Sequence, residues 1–430
     1  MGLRPSFSAH VSWCEHGAPI ESGLALLCDC VVGFAPDLLT EGAICFAVGM
    51  TSTVTARRLL RGDEILEYPQ VTIRDGHISS IVSRERGDPG DTYPRALLAP
   101  AYLNIHVHGA VGHDVMEGTP QALYAISAAL AGHGVGGYYP TTVTSSTEET
   151  LRALEMIATF IEGDAPADGA APLGIHLEGP FLCPAKRGVH PTALLVAPSI
   201  SLFDRFWQAA RGQIRIMTVA PELPLALELI EHASNLGVVC SLGHTDATLT
   251  EAEAGFRAGA RSATHTFNAM RRLDHRDPGV AAYVLDNDAL FAEIICDGIH
   301  VDPAMVRLFF KAKGDDKTVL ITDGMSATGM PDGHYKLGGL DVEVSQGRCT
   351  SGGALAGSVL TMDQAVRNFS LFCGTGLSVS VQAAAGNPAQ LMGLHQDWGY
   401  LEEGREANFV ALSPDGKLLQ SFRAGRLLIV

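Results

Sequence analysis

Leu103-Asn104-Ile105-His106-Val107-His108-Gly109 is an apolar run that ends in two imidazoles and a glycine. Side chains of an extended chain repeat every second residue, so His106 and His108 lie on one side and can face one ion. Three more apolar runs stop at a metal-grade group: Gly174-Ile175-His176-Leu177-Glu178, Val239-Cys240-Ser241-Leu242-Gly243-His244 and Leu320-Ile321-Thr322-Asp323. Ser262-Ala263-Thr264-His265 is a fifth. A strand that stops at His, Glu or Asp sets that group on the rim of a sheet, where a barrel builds its site. An isolated His-x-His is a weak signal; together the endings predict a hydrolytic metal centre.

The rhythm around these runs is α/β. Strands are predicted at Leu103–Val107, Gly137–Thr144, Gly174–Leu177, Ile214–Val219, Val238–Leu242, Ser262–His265, Leu290–Cys296 and Val319–Thr322. Helical patterns separate most of them, as at Glu148–Ile161, Leu223–Leu236, Leu249–Ala258 and Pro303–Lys311, and Thr361–Phe372 follows the last. No Gly-rich dinucleotide turn follows the first strand, which favours a (β/α)8 TIM barrel over an open sheet. Before it, Gln70–Ile73 and Ile78–Val82 flank Asp75-Gly76, a strong hairpin signal. The far end mirrors this with Gly404–Leu412, a turn at Pro414-Asp415-Gly416 and Arg426–Val430. The expected organisation is a small β-sandwich from residues 50–98 plus about 395–430 around a barrel at 99–394. A hairpin is inserted near 335–350, and its place over the mouth or in the sandwich stays open.

Composition bounds the function. At 430 residues, 47% hydrophobic and 18% charged, the chain is long enough for a large barrel and is of globular composition. A formal charge of −17 argues against nucleic acid or an anionic membrane as partner. An anionic substrate would need local cations to hold it. Nine cysteines are scattered, several of them inside apolar segments, which predicts free thiols in a reducing, cytoplasmic compartment. Cys28-Asp29-Cys30 has no second pair at zinc spacing and reads as incidental. No apolar run is long enough for a bilayer span, and the first residues lack the pattern of a signal peptide. Residues 1–49 read as an extension, with Met50 as an alternative start.

Each candidate has a bland alternative. Glu178, before Gly179-Pro180, is either a solvated turn carboxylate or a group facing the barrel mouth that can bridge two cations. His176 shares its side of the strand and is expected to pack. His244 and His265 end consecutive strands, which lie about 5 Å apart, so both rings can reach one ion. Asp323 supplies the carboxylate that metal-assisted hydrolysis needs as proton shuttle. Five satisfied polar groups arranged this way by accident are improbable.

The set resembles the amidohydrolase superfamily and, more narrowly, the N-acetylglucosamine-6-phosphate deacetylases. The resemblance runs from about Val54 to the C-terminus. It rests on His106-Val107-His108-Gly109, His176-Leu177-Glu178-Gly179-Pro180-Phe181, Gly188-Val189-His190, Leu242-Gly243-His244-Thr245, Thr264-His265-Thr266-Phe267-Asn268-Ala269-Met270, Asp297-Gly298-Ile299-His300-Val301-Asp302, Thr322-Asp323-Gly324-Met325 and Gly353-Ala354-Leu355-Ala356-Gly357-Ser358. It implies Glu178, His244 and His265 as the common metal ligands, His106 and His108 as the extra pair of two-metal members, and Asp323 as catalytic acid/base. It also implies a divalent cofactor, Zn2+ first with Fe2+, Mn2+ or Co2+ as the other candidates, in one or two copies. Asn268, the Ala269 backbone, Arg276 and His300 fall on the sugar-phosphate pocket. His190 and Val189 fall beside the sugar or its amide, and Ala354, Leu355 and Ala356 on the wall around the acetyl group. A planar guanidinium such as that of Arg276 suits phosphate because it donates two parallel hydrogen bonds. Members are typically homodimers, with a subunit boundary near the phosphate pocket. Related amidohydrolases often bridge two metals with a carboxylated lysine. Between Pro172 and His244 the one lysine is Lys186, placed in a loop, which speaks against that variant.

The implied reaction is metal-assisted hydrolysis of N-acetylglucosamine 6-phosphate to glucosamine 6-phosphate and acetate. Asp323 would take the proton of the attacking water and return it to the leaving amine. Two rivals are another amidohydrolase (a deaminase or an N-acyl-amino-acid hydrolase) and a non-catalytic relative of the barrel.

Overall fold

The computed structural model describes residues 51–62, 64–163 and 166–428. The extension at 1–49, the start at Met50, Cys28-Asp29-Cys30 and the final residues Ile429 and Val430 lie outside the described residues. Eight parallel strands form the barrel: β1 (Tyr102–Val107), β2 (Val135–Thr142), β3 (Ile175–Glu178), β4 (Ile214–Val219), β5 (Val239–Leu242), β6 (Ser262–Ala263), β7 (Phe291–Ile295) and β8 (Thr318–Ile321). Neighbours pair in chain order. The ring closes where the amide of Asp323 donates to the His106 carbonyl at 3.0 Å and that of His108 to the Gly324 carbonyl at 2.8 Å. The closing seam therefore joins the His-x-His segment to Asp323.

Strands such as Phe-Ala-Glu-Ile-Ile of β7 are buried along their whole length, as expected of parallel strands covered on both faces. The covering helices present apolar residues at intervals of three and four. The helix Thr147–Glu162 buries Ala153, Leu154, Ile157 and Ala158, and begins in a capping box of Ser146 with Glu149. Thr248 and Glu251 repeat the box at Leu249–Ala258. Such a cap contributes about 0.5–2 kcal/mol to helix stability. Among the described residues no helix is long and apolar enough to cross a membrane.

The small β-domain takes strands from both ends of the described chain. Tyr93–Pro100 lies between Thr51–Arg61, to which it runs parallel, and Phe409–Leu412, to which it runs antiparallel. Pro69–Arg74 and His77–Ser83 form the hairpin at Asp75-Gly76, where both residues have positive φ (48° and 80°). That is the backbone that a two-residue hairpin turn demands. Its core gathers Leu59, Val71, Ile73, Leu98, Phe409 and Phe422. The insertion is larger than one hairpin: Gly333–Leu337, Leu340–Ser345, Arg348–Ser351 and Ala354–Leu355 make a separate four-stranded sheet. Its inner face packs Leu337, Val342 and Val344 against Val143 and Met325, so it leans on the barrel mouth and leaves the sandwich alone.

Candidate metal centre

The barrel rim aims the site residues in two ways. Glu178 is the last residue of β3, and His106 lies in β1 with His108 just after it. His244, His265 and Asp323 lie two residues beyond β5, β6 and β8, in the left-handed region, with φ of 46°, 29° and 49°. Each such non-glycine residue costs about 1–3 kcal/mol and persists where surrounding structure over-determines it, commonly at functional sites. Strand alternation alone does not set the direction of these three side chains; a turn at the rim does.

The result is one buried cluster. Glu178 Oε1 lies 3.3 Å from His244 Nε2, 3.2 Å from His265 Nε2 and 3.5 Å from His106 Nε2. Its Oε2 lies 3.3 Å from His108 Nε2 and 3.6 Å from His190 Nε2. Asp323 Oδ1 stands 3.2 Å from His108 Nε2 and 3.5 Å from His106 Nε2. Two ligand groups share Glu178: His106, His108 and Glu178 on one side, Glu178, His244 and His265 on the other, with ligand atoms within 4.8 Å in each. The Glu178 carboxylate belongs to both groups and could serve a cation on either side.

Hydrogen bonds fix which ring nitrogens are acceptors. His108 Nδ1 lies 3.0 Å from the Thr141 carbonyl and His244 Nδ1 3.0 Å from the Lys186 carbonyl. A carbonyl only accepts, so each Nδ1 carries its proton and, in a neutral ring, each Nε2 is a lone pair. His106 Nδ1 faces Glu293 Oε2 at 3.2 Å, with the same consequence. Its Nε2 is buried without a hydrogen-bond partner. His244 and His265 bring their Nε2 atoms to 3.1 Å of each other beside Glu178. Ring nitrogens and the carboxylates of Glu178 and Asp323 gathered this closely in a buried space need positive charge among them, which protons or a cation supply. The donor set, nitrogen and oxygen at the open end of a barrel, fits a divalent transition ion.

Charge follows the same division. Burial opposes a proton on His108, but Asp323 and Glu178 outweigh it and raise the ring to about 9. His106 is raised too, against burial, chiefly by Glu178. Burial dominates at His244 and lowers it to about 4. The facing imidazoles pull the Asp323 carboxyl well below its usual range despite burial.

A cavity of about 250 Å³ opens on the cluster. Val189, His190, Asn268, Ala269, His300, Ala354 and Leu355 line it together with His108, Glu178, His244, His265 and Asp323. His190 differs from the ligand rings. The Thr144 amide donates to its Nδ1 at 3.3 Å and the Thr144 hydroxyl lies at 2.7 Å, so its proton sits on Nε2 and it enters the pocket as a donor. His300 Nδ1 rests 2.7 Å from Asp297 Oδ2; burial opposes charge on that ring, but Asp297 outweighs it and raises the pKa. Arg276 is exposed and does not line the cavity, and Ala356 is buried behind the wall, among Met325, Val342 and Cys349. His176 packs 4.6 Å from the His106 ring and is held by the Ile105 carbonyl and the Thr218 hydroxyl. Lys186 pairs with Asp246 at 3.3 Å. Glu293 and Thr144 belong to no short motif. The available signal for Glu293 is a carboxylate inside the otherwise apolar run Phe291–Cys296; Thr144 has none.

A model described as the amidohydrolase family matches residues 97–428. The chain belongs to the amidohydrolase family. Within it, the chain is 37% identical to the N-acetylgalactosamine-6-phosphate deacetylase of Escherichia coli O157:H7, over 88% of this chain and 99% of that one. It is 35% identical to the N-acetylglucosamine-6-phosphate deacetylase of Bacillus subtilis, over 86% and 94%. A solved N-acetyl-D-glucosamine-6-phosphate deacetylase variant of Mycobacterium smegmatis, in complex with N-acetyl-D-glucosamine-6-phosphate, superposes with a TM-score of 0.82 at 33% identity, covering 89% of this chain and all of that one. The resemblance read from the motifs is thus matched over most of the amidohydrolase chain.

Proposed function

We propose that this chain is a metal-dependent deacetylase that hydrolyses N-acetylglucosamine 6-phosphate to glucosamine 6-phosphate and acetate. The observation that carries the reading is the convergence of Glu178, His106, His108, His244 and His265 with Asp323 in one cluster, all but His106 lining one cavity. These five would hold the divalent cation, and bound there it supplies an activated water and Lewis acidity toward the amide carbonyl. Zn2+ is the first candidate by ligand chemistry, with Fe2+, Mn2+ and Co2+ behind it.

The chain's own residues divide the remaining work. Asp323, with its carboxylate against His106 and His108, accepts the proton of the attacking water and returns it to the leaving amine. His190, tethered by Thr144, donates from Nε2 to the carbonyl oxygen as it gains charge. Asn268, the Ala269 backbone and His300 meet the sugar phosphate, Val189 lies against the sugar, and Ala354 and Leu355 flank the acetyl group, with Ala356 supporting that wall from behind. Arg276, exposed and outside the lining of the cavity, is assigned to the phosphate of a second copy's substrate, so its role and the homodimer are one proposal. Free Cys183, Cys240, Cys296, Cys349 and Cys373 support a reducing, cytoplasmic compartment.

The test is acetate release from N-acetylglucosamine 6-phosphate by protein of measured metal content, beside the unphosphorylated sugar and an N-acyl amino acid. Release from the phosphorylated sugar alone is expected; preference for the N-acyl amino acid overturns the substrate, and no release by fully loaded protein overturns the enzyme. The likeness to an N-acetylgalactosamine-6-phosphate deacetylase makes that epimer the second substrate to assay.

A further inference from the structure

We propose that Glu293 is a positioning residue that, through the ring of His106, enables the His106–His108 side of the centre to hold a second divalent cation. The inference rests on the metal-dependent reading above. Glu293 sits mid-way along β7 and is fully buried. Its Oε2 lies 3.2 Å from His106 Nδ1 and accepts the His265 amide, also at 3.2 Å. Its Oε1 is buried without a hydrogen-bond partner. One carboxylate therefore grips a ring of the first ligand group and the backbone of the second.

Two physical effects follow. An imidazole that donates Nδ1–H to a carboxylate is fixed in tautomer and orientation, and its Nε2 becomes a stronger base toward a cation. His108 and His244 donate to backbone carbonyls, so His106 is the ligand this effect singles out. The second effect is charge. Glu178, Asp323 and Glu293 are all buried, and among the described residues no lysine or arginine pairs with any of them. Buried carboxylates need positive charge nearby. With the rings neutral, as ligands are, one divalent ion leaves this trio net negative, whereas two more than offset it. Without the third carboxylate, one ion would suffice for Glu178 and Asp323.

The decisive variant is Glu293→Gln, which keeps the shape and an acceptor for His106 but removes the charge. Full-length wild type and variant are titrated with Zn2+ against a chromophoric chelator, and bound metal is counted per chain. Wild type should bind two ions. The variant should keep one at wild-type affinity and bind the other about 10- to 100-fold more weakly. His106→Asn should lose the same ion, and adding Glu293→Gln to it should cost nothing more, because both changes act through one ring. The metal-free forms should melt together. Two ions bound by the variant at wild-type affinity overturn the proposal. So does a wild type that saturates at one ion, or loss of both ions together with a lowered melting temperature. Wild type that binds no ion sinks the metal-dependent reading instead.

Discussion

At the scale of single residues, the proton position on each imidazole separates ligands from donors. His108 and His244 give Nδ1–H to carbonyl oxygens and turn Nε2 to the centre, whereas His190 accepts at Nδ1 and offers a proton. Asp323→Asn keeps the volume but cannot shuttle a proton. Turnover should fall by roughly 10²- to 10⁴-fold with metal content unchanged, which single-turnover kinetics and metal analysis check together. Thr144→Val removes the hydroxyl 2.7 Å from His190 Nδ1 while leaving the amide that also holds the ring. The loss of one such bond predicts a roughly tenfold lower kcat with little change in KM, read from steady-state kinetics.

At the scale of elements, the chain just past β1, beside the closing seam, is closely packed. A Cβ on Gly109 would stand 2.2 Å from the His113 carbonyl oxygen and 3.0 Å from the Ser326 amide nitrogen. Gly109 has no positive φ, so the requirement is close approach rather than a special turn. Gly109→Ala should lower stability by about 1–3 kcal/mol, and because His108 is its neighbour it should also weaken metal binding. Thermal melts of the metal-free and loaded forms separate the two effects. The inserted sheet places Leu337, Ala354 and Leu355 over the cavity, so this wall, which we assign to the acetyl group, comes from a segment the (β/α)8 repeat does not contain.

At the scale of the whole molecule, the two halves of the centre differ in how firmly protons compete with metal. His244, lowered to about 4, is neutral and ready at pH 7. His108, raised to about 9, must lose a proton before it can bind. Because metal displaces that proton, affinity on the His106–His108 side should rise with pH and level off near 9, while no proton competes at His244 near neutrality and its side fills first. Metal titrations across pH 6 to 9 check the order and the sign. The subunit arrangement has its own test. Mixed dimers of Arg276→Ala and Asp323→Asn chains should regain activity if Arg276 serves the neighbour's pocket, because one of the two sites is then intact.

Local sequence was sufficient for the elements and for naming most of the candidate ligands that the fold brings together. Period-two and period-three-to-four patterns are set by neighbours in the chain, so the eight strands, the Asp75-Gly76 hairpin and the endings at Glu178, His244, His265 and Asp323 are legible in order. What depends on residues distant in the chain was not. Glu293 meets His106 across 187 positions, and Thr144 meets His190 across 46. The left-handed turns that swing His244, His265 and Asp323 inward, the seating of the inserted sheet on the mouth, and the exposure of Arg276 likewise follow from how the closed barrel brings its rim together. Sequence alone determined which groups were available; tertiary packing decided their direction, because buried charges and lone pairs reach a common centre only when the ring of strands closes.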